Sequence, residues 1–270
     1  MHLYDSKGNP HHKVKTKAKA KSATRLSRVS DAKKHGWFPS VTSYLDVMDK
    51  EWLRRYTAIE CVELALSQPT IRDEDVSEYA ARLVDKTMQE SGEAAEIGTR
   101  VHDIIENWAL GRPLPDSIQL YGDDVVDAST LLDPVISMLK GFDIRRTEFV
   151  TVNSGLGYAG TVDMEAFNSN DVSGLIDFKT KKTKPGVKIK PSDAHVMQLA
   201  AYHASEYAPG LGPREINWEG QWAANIYIST TEPGRVELKI WNSIELALAF
   251  DGFSSCCGLW RYLKGYDARS

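Results

Sequence analysis

The sequence predicts an α+β (mixed α/β) fold in which a helical N-terminal part precedes a central mixed β-sheet flanked by helices. Apolar residues recur at helical spacing over most of residues 36–140. After Gly141 the pattern changes to an alternation of polar and apolar residues, which is typical of strands. A helical pattern at about 191–207 then separates three predicted strands from two more, so we expect one sheet covered by helices.

Composition limits the class of protein. The chain has 270 residues, a net charge of −4 and three cysteines, two of them adjacent. This number and spacing suit neither a disulfide framework nor a zinc site, so we expect free thiols. No apolar run is long enough to span a bilayer and no secretory signal is recognisable, so we expect no membrane partner and a cytoplasmic location, which is the host cytosol if a phage encodes the chain.

Charge is divided unevenly along the chain. Residues 1–35 contain ten Lys or Arg and two Asp, a charge of +8, which leaves −12 on the remainder. We therefore expect a basic, flexible arm over 1–35 and a single domain over 36–270, with a helical portion at 36–140 and a sheet core with flanking helices at 141–270. The arm suits a phosphate-binding tether, and a solubilising tail explains it about as well.

The helical portion contains four predicted helices, at about 40–66, 73–90, 92–110 and 123–140. Ser40 or Thr42 can cap the first helix, and Pro69 follows its end. Gly111 and Pro113 close the third helix.

The sheet core contains three predicted strands in succession, at 144–152, 158–167 and 173–181. After the helix at about 191–207, two further strands are predicted at 221–230 and 234–241, around a turn at Glu232-Pro233-Gly234. A final helix is predicted at 243–264.

The stretch "NSND" at 168–171 is a turn signal between the second and third strands. If these strands form an antiparallel hairpin centred near residue 170, Asp163 faces Asp177 and Thr161 faces Lys179. Facing residues have Cβ atoms about 4.5–5.5 Å apart, and like charges at that distance destabilise a sheet. Two aspartates placed in this way therefore indicate a cation between them.

Mg²⁺ is the cation that these residues suit best, because it takes oxygen ligands from one or two carboxylates together with water and substrate phosphate. Lys179 lies one step further along the same face and could hold an attacking water. This combination is typical of phosphodiester hydrolysis. A polar strand face that simply meets solvent is the alternative interpretation.

The segments "GYAGTVD", "LIDFKT" and "VMQLAAY" resemble the PD-(D/E)XK nuclease superfamily, most closely its RecB-like branch of mitochondrial genome maintenance exonucleases and phage exonucleases. The resemblance covers roughly residues 37–210. It implies a restriction-endonuclease-like core in a single nuclease domain, with Asp163 and Asp177 as metal ligands and Lys179 as the catalytic lysine. Val162 stands where the family has its proline.

The same resemblance assigns further residues to the site. In "IGTRVHDIIENW", His102 matches a metal-binding histidine, although a lone histidine on a helix is more often structural. Gln198 and Tyr202 match a Gln-x-x-x-Tyr helix that supports the catalytic cleft, with an ordinary packed helix as the alternative. Glu148 matches a further acid, and an ion pair with Arg145 or Arg146 is nearly as good an explanation.

The implied cofactor is Mg²⁺, with Mn²⁺ able to substitute, and the implied partner is DNA, as single strands or duplex ends. Family members that carry an iron–sulfur cluster use four cysteines, so none is expected here. A lysine-rich segment follows the catalytic lysine and is expected to bind the phosphate backbone. Its residues are Lys181, Lys182, Lys184, Lys188 and Lys190.

The expected function is that of a Mg²⁺-dependent DNA exonuclease acting in phage biology, replication or recombination, where a replication or recombination protein could be a partner. A catalytically silent DNA-binding or recombination-accessory module on the same fold is one alternative. A metal phosphoesterase acting on nucleotides is another.

Overall fold

The computed structural model describes residues 1–16, 23–48, 51–71 and 74–269. The strands are β1 (Leu3–Tyr4), β2 (Lys13–Lys15), β3 (Thr24–Leu26), β4 (Phe38–Pro39), β5 (Ser117–Gln119), β6 (Val125–Asp127), β7 (Asp143–Asn153), β8 (Tyr158–Phe167), β9 (Ser173–Lys181), β10 (Ala223–Ser229) and β11 (Val236–Trp241). The helices are α1 (Val29–His35), α2 (Val41–Leu45), α3 (Glu51–Ser67), α4 (Val76–Ala109), α5 (Ala128–Leu139), α6 (Asp193–Tyr207) and α7 (Ser243–Lys264).

A five-stranded mixed sheet in the order β11-β10-β9-β8-β7 forms the centre of the protein. Strands β9 and β10 are parallel and joined by α6, whereas the other neighbouring strands are antiparallel. The predicted α+β fold with a central mixed sheet is therefore confirmed.

The two faces of the sheet bury different apolar clusters. One cluster joins the sheet to α2, α6 and α7 and includes Leu175 and Phe250. The other joins it to α4 and α5 and includes Ile176 and Val135. Adjacent residues of β9 thus enter opposite clusters, as the alternation of side chains along a strand requires.

Strands β8 and β9 and helix α7 have the predicted boundaries, but the helical portion differs from the prediction. The helices predicted at 73–90 and 92–110 are one continuous helix, α4, whose N-terminus is capped by Asp75. Gly92 lies in its interior with open space around it, so the glycine lowers helix propensity without ending the helix. No helix in the described part of the chain is both long and apolar enough to cross a membrane.

Two more helices differ in extent. The helix predicted at 40–66 is divided into α2 and α3, with Asp46 as the C-cap of α2, and residues 49–50 lie outside the described residues. The helix predicted at 123–140 begins only at Ala128, because the preceding residues form β6, which pairs with β5.

The flexible arm predicted over residues 1–35 is wrong for the part of it that the structure describes. Strand β1 pairs with β4, and β2 pairs with β3. Leu3 is fully buried, and Tyr4 packs with Phe38 and Ala159. These few apolar residues dock the segment despite its lysine-rich composition. Residues 17–22, the centre of the predicted arm, lie outside the described residues.

Candidate metal centre and basic surface

The β8–β9 hairpin has the predicted register. Met164 pairs with Ile176 and Phe167 with Ser173, which centres the hairpin near residue 170. The ladder ends at Met164 and Ile176, one residue before the two aspartates. There the Phe178 backbone N–H donates to Oδ2 of Asp163 at 2.8 Å, so a side-chain carboxylate replaces a strand carbonyl as the acceptor.

The Asp163 side chain thus takes the position of a backbone acceptor, and the alternation of side chains along β8 is broken at this point. Val162 belongs to the cluster under α6 and α7, whereas Met164, two residues later, belongs to the cluster under α4 and α5. In a hairpin of regular alternation Val162 and Met164 would share one face of the sheet, and here they do not. The break directs the Asp163 carboxylate toward the space between strands, where α4 can reach it.

His102 of α4 stands beside Asp163, with 3.6 Å between Nδ1 and Oδ2. Its ring also meets the Phe178 ring edge-on, with centroids 6.1 Å apart. Helix α4 approaches β9 closely at Gly98, one turn before the histidine, where a Cβ would lie 3.1 Å from Oγ1 of Thr180. A small residue there lets the helix bring His102 to the sheet.

Glu148 reaches the same point from β7. It lies opposite Asp163, between the pairs Thr147–Met164 and Phe149–Val162. Its φ of 47° is left-handed, a conformation that costs a non-glycine residue about 1–2 kcal/mol and is concentrated at functional sites. One ligand atom from each of His102, Glu148 and Asp163 lies within 4.8 Å of the others.

Electrostatic repulsion accompanies this convergence. Protein atoms around the Glu148 carboxyl and the negative charge of Asp163 raise the pKa of Glu148 to about 7, and Glu106 and Asp103 add to the effect. The arginines considered as alternative partners pair elsewhere, Arg145 with Asp143 and Arg146 with Glu165 and Glu206.

The three side chains border an acidic cavity of about 380 Å³. Two further carboxylates, Asp103 and Glu106, line the same cavity. Five groups that can be ligands thus face one solvent-connected space with no lysine or arginine among the described residues of its wall. Such a cavity attracts cations, because the field of clustered like charges raises their local concentration.

Asp177, the other predicted metal ligand, is buried directly behind this group. The Lys179 ammonium lies 2.8 Å from its Oδ1 and 2.7 Å from its Oδ2. Burial raises the pKa of Asp177, the Lys179 charge opposes that shift, and the charge of Asp163 adds to it. Asp177 is not among the three residues whose ligand atoms converge within 4.8 Å.

Lys179 also lines a second cavity of about 440 Å³, which Thr180 lines as well. Helices α3 and α4 form one wall of this cavity and the end of β9 forms another. Its lining includes Tyr56, Tyr121, Lys181, Lys182 and His195. Glu60 and Glu90 also line this cavity, so its wall carries charges of both signs beside the aromatic rings.

Gln198 and Tyr202 contact each other on α6, where Gln198 Nε2 donates to the Tyr202 hydroxyl at 3.0 Å. The Tyr202 ring packs directly on Gly160 of β8, where a Cβ would lie 2.4 Å from Cε1 of Tyr202. Tyr202 is buried, so its contact with Gly160 holds α6 against the strand that carries Asp163.

The predicted nucleic-acid-binding lysines lie in and beside residues 182–190, here called the basic loop. Lys182, Lys184, Lys188 and Lys190 are exposed. Lys181 is half-buried and donates to the Lys190 carbonyl at 2.8 Å. Arg235 donates to the carbonyls of Lys184 and Val187, which fastens the loop to the β10–β11 turn.

Sequence analysis overlooked Asn225 and Trp241, which form a buried hydrogen-bonded chain to Asp177. The available signal was a single amide in the otherwise apolar strand "AANIYIS". Also overlooked was Tyr4, whose hydroxyl bonds Oγ1 of Thr161 at 3.1 Å, two residues before Asp163. The N-terminal segment therefore packs against the strand of the site.

The fold and the site together define an α+β protein with a histidine and two carboxylates that could hold a metal ion. No family model matches the sequence, and no curated protein matches it. Among solved structures, the crystal structure of SSO0001 is similar over 75% of this chain and 85% of that chain, with 19% identity and a TM-score of 0.30. Similarity at this level carries no conclusion about what this chain does.

Proposed function

We propose that the protein is a Mg²⁺-dependent DNA exonuclease that hydrolyses phosphodiester bonds from DNA ends. The observation that carries the proposal is the convergence of His102, Glu148 and Asp163 within 4.8 Å, beside the Asp177–Lys179 pair. These groups come from helix α4 and from the three successive strands β7, β8 and β9. A solvated polar strand face does not account for a left-handed Glu148 or a buried Asp177.

The donor set fits a hard divalent cation. Two carboxylates and one imidazole suit Mg²⁺ or Mn²⁺, which prefer oxygen ligands and accept nitrogen less readily. Burial is the largest cause of the raised pKa of Glu148 and repulsion by Asp163 is the next, and a cation would relieve that repulsion. A bound divalent ion would supply charge stabilisation for phosphoryl oxygens and a more acidic water.

Lys179 supplies the group that orients water. Its ammonium has three donor hydrogens, of which Asp177 takes at most two. The remaining hydrogen can bind an attacking water or a phosphate oxygen. Asp177 holds the ammonium in place, because both of its carboxylate oxygens contact Nζ of Lys179, at 2.8 Å and 2.7 Å.

The basic loop supports a polynucleotide substrate. Its exposed lysines follow the end of β9, close to Lys179 in sequence, and Lys182 lines the same cavity as Lys179. Lysines placed along a phosphate backbone release condensed counterions and give affinity that falls with salt. A nucleotide-sized substrate would gain little from such a loop, so this feature favours DNA over small phosphoesters.

The test uses end-labelled single-stranded and duplex DNA, with Mg²⁺, with Mn²⁺ and with EDTA. We expect shortening of the labelled strand with either metal and none with EDTA. Lys179→Ala and Asp163→Asn should each abolish shortening. Lys264→Ala, at an exposed lysine of α7, is the control and should cut like the unmodified protein.

Three outcomes would contradict the proposal. DNA that is retarded in a gel but never cut would indicate a DNA-binding module. Hydrolysis of mononucleotide esters without cleavage of DNA would indicate a phosphoesterase. Cleavage of closed circular DNA would contradict the dependence on ends.

A further inference from the structure

Asn225 lies at the centre of β10 and is fully buried. It is paired in register with Asp177 of the parallel neighbour β9. Its Nδ2 donates to Oδ2 of Asp177 at 2.8 Å, and its Oδ1 accepts from Nε1 of Trp241 at 2.8 Å. One amide thus connects the buried carboxylate of the site to a tryptophan on β11.

The chemistry of the partners determines which way this amide points. An indole Nε1–H can only donate, so the oxygen of Asn225 must face Trp241. The NH₂ group must then face Asp177, where it can only donate to the carboxylate. Trp241 therefore orients the amide, and the orientation favours the ionised form of Asp177.

We infer that Asn225, oriented by Trp241, is a positioning residue that fixes the Asp177 carboxylate and, through it, the Lys179 ammonium. The inference rests on the proposed function for its catalytic consequence, but the positioning itself is a property of the metal-free protein. With Asn225 in place, Asp177 has a second anchor besides Lys179. Without it, the carboxylate could rotate with the flexible lysine chain.

An asparagine is otherwise a poor choice for this position. Its neighbours on β10 are Ala223, Ala224, Ile226 and Tyr227, and asparagine is depleted in strands. A buried amide is tolerated only when its hydrogen bonds are made, and here both ends are used for Asp177 and Trp241. The Asn225 amide can therefore be buried because the Asp177 carboxylate accepts its hydrogen bond.

The test compares Asn225→Leu with Asn153→Leu. Asn153 is also fully buried in the same sheet and also has both amide ends bonded, but to Tyr158 and the Leu156 backbone. Asn225→Leu loses three buried hydrogen bonds, and Asn153→Leu loses one buried and one part-buried hydrogen bond, so both should melt at lower temperature. Trp241→Phe keeps an aromatic ring and removes the orienting N–H, which provides a second variant if Asn225→Leu does not fold.

The first measurement needs no metal and no activity. Acetylation of Lys179 is followed by peptide mapping in metal-free protein, with Lys264 as the internal reference. We expect faster acetylation of Lys179 in Asn225→Leu, a smaller increase in Trp241→Phe, and no change in Asn153→Leu. Unchanged acetylation of Lys179 in the folded Asn225 and Trp241 variants would overturn the inference.

The second measurement is cleavage of end-labelled DNA. Loss of a hydrogen bond behind a site carboxylate typically costs about 10- to 100-fold in activity, so kcat of Asn225→Leu should fall by that factor with KM for DNA unchanged. If the unmodified protein does not cut DNA, the proposed function fails, and the acetylation result alone decides the positioning role.

Discussion

His203 is a buried histidine on α6 whose ionisation should make the protein sensitive to acid. It is 1% exposed and packs between the rings of Tyr207 and Trp218. Neither of its ring nitrogens makes a hydrogen bond among the described residues. Burial lowers the pKa of His203 from 6.5 to about 4, and the nearby Gln221 side chain opposes this only in part.

The sign and size of the effect follow from this pKa. Between pH 6.5 and about 4 the unfolded chain binds a proton at His203 that the folded protein does not, so the free energy of unfolding falls as the pH falls. Above pH 6.5 both states are neutral there, and the contribution vanishes. At about 1.4 kcal/mol per pH unit, the full loss at pH 4 is about 3 kcal/mol.

The assay is urea unfolding of the unmodified protein and of His203→Phe at several pH values from 4 to 8. Phenylalanine keeps the ring contacts and removes the ionisable group, so the variant should lose less stability on acidification. His35→Phe is the control, because His35 is exposed and also stacks on a ring, that of Trp37. Parallel stability curves for His203→Phe and the unmodified protein would refute the reasoning.

Three other predictions concern the site and its supports. Gly160→Ala should destabilise the protein by about 1–3 kcal/mol in urea unfolding, because the new Cβ would overlap the Tyr202 ring. Gly92→Ala, in open space on α4, should instead stabilise the protein by about 0.5–1 kcal/mol. Equal changes in the free energy of unfolding for the two variants would contradict the packing of Tyr202 on Gly160. Glu148→Gln should raise the melting temperature of the metal-free protein, because it relieves repulsion between Glu148 and Asp163. The same substitution should remove the further rise in melting temperature that Mn²⁺ produces in the unmodified protein. An equal rise with Mn²⁺ in both proteins would count against Glu148 as a metal ligand. Replacing Lys184, Lys188 and Lys190 by serine should weaken DNA binding, as measured by fluorescence anisotropy. The slope of log affinity against log salt concentration should fall by about 1 for each phosphate that is no longer neutralised. An unchanged slope would show that the basic loop does not bind the DNA backbone.

Much of the fold was predictable because the sheet core follows local rules. The period-two pattern and the turn at 168–171 define β8 and β9, and the Asx turn of Asn168 closes the hairpin. Helix α7 begins at an Asn242 cap and ends at Gly265, both of which are strong local signals. Where propensity, pattern and turn chemistry agree, the boundaries agree as well.

The errors arose where tertiary contacts outweighed local pattern. Gly92 does not interrupt α4, because an exposed glycine costs a helix only about 1 kcal/mol. In the described part of the N-terminal segment, Leu3 and Tyr4 occupy buried positions that a single sequence cannot reveal. Pairing between residues 3–4 and 38–39 leaves no local signature.

The site was only partly predictable for the same reason. Hairpin register brought Asp163 and Asp177 to adjacent positions, but it could not reveal that the ladder stops before them or that Asp163 accepts the Phe178 N–H. The left-handed Glu148 has no sequence signal, because glutamate rarely adopts that conformation. Asn225 became interpretable only when its two hydrogen-bond partners were visible.

Helix α4 extends from its contact with α3 to the candidate metal centre. With 34 residues it is a rod about 50 Å long, at about 1.5 Å per residue. Its N-terminal half packs on α3, and its other half touches the sheet at Gly98 and carries His102. A force on the outer end of α4 would therefore rotate the helix about its contact with the sheet at Gly98 and change the 3.6 Å distance between His102 and Asp163.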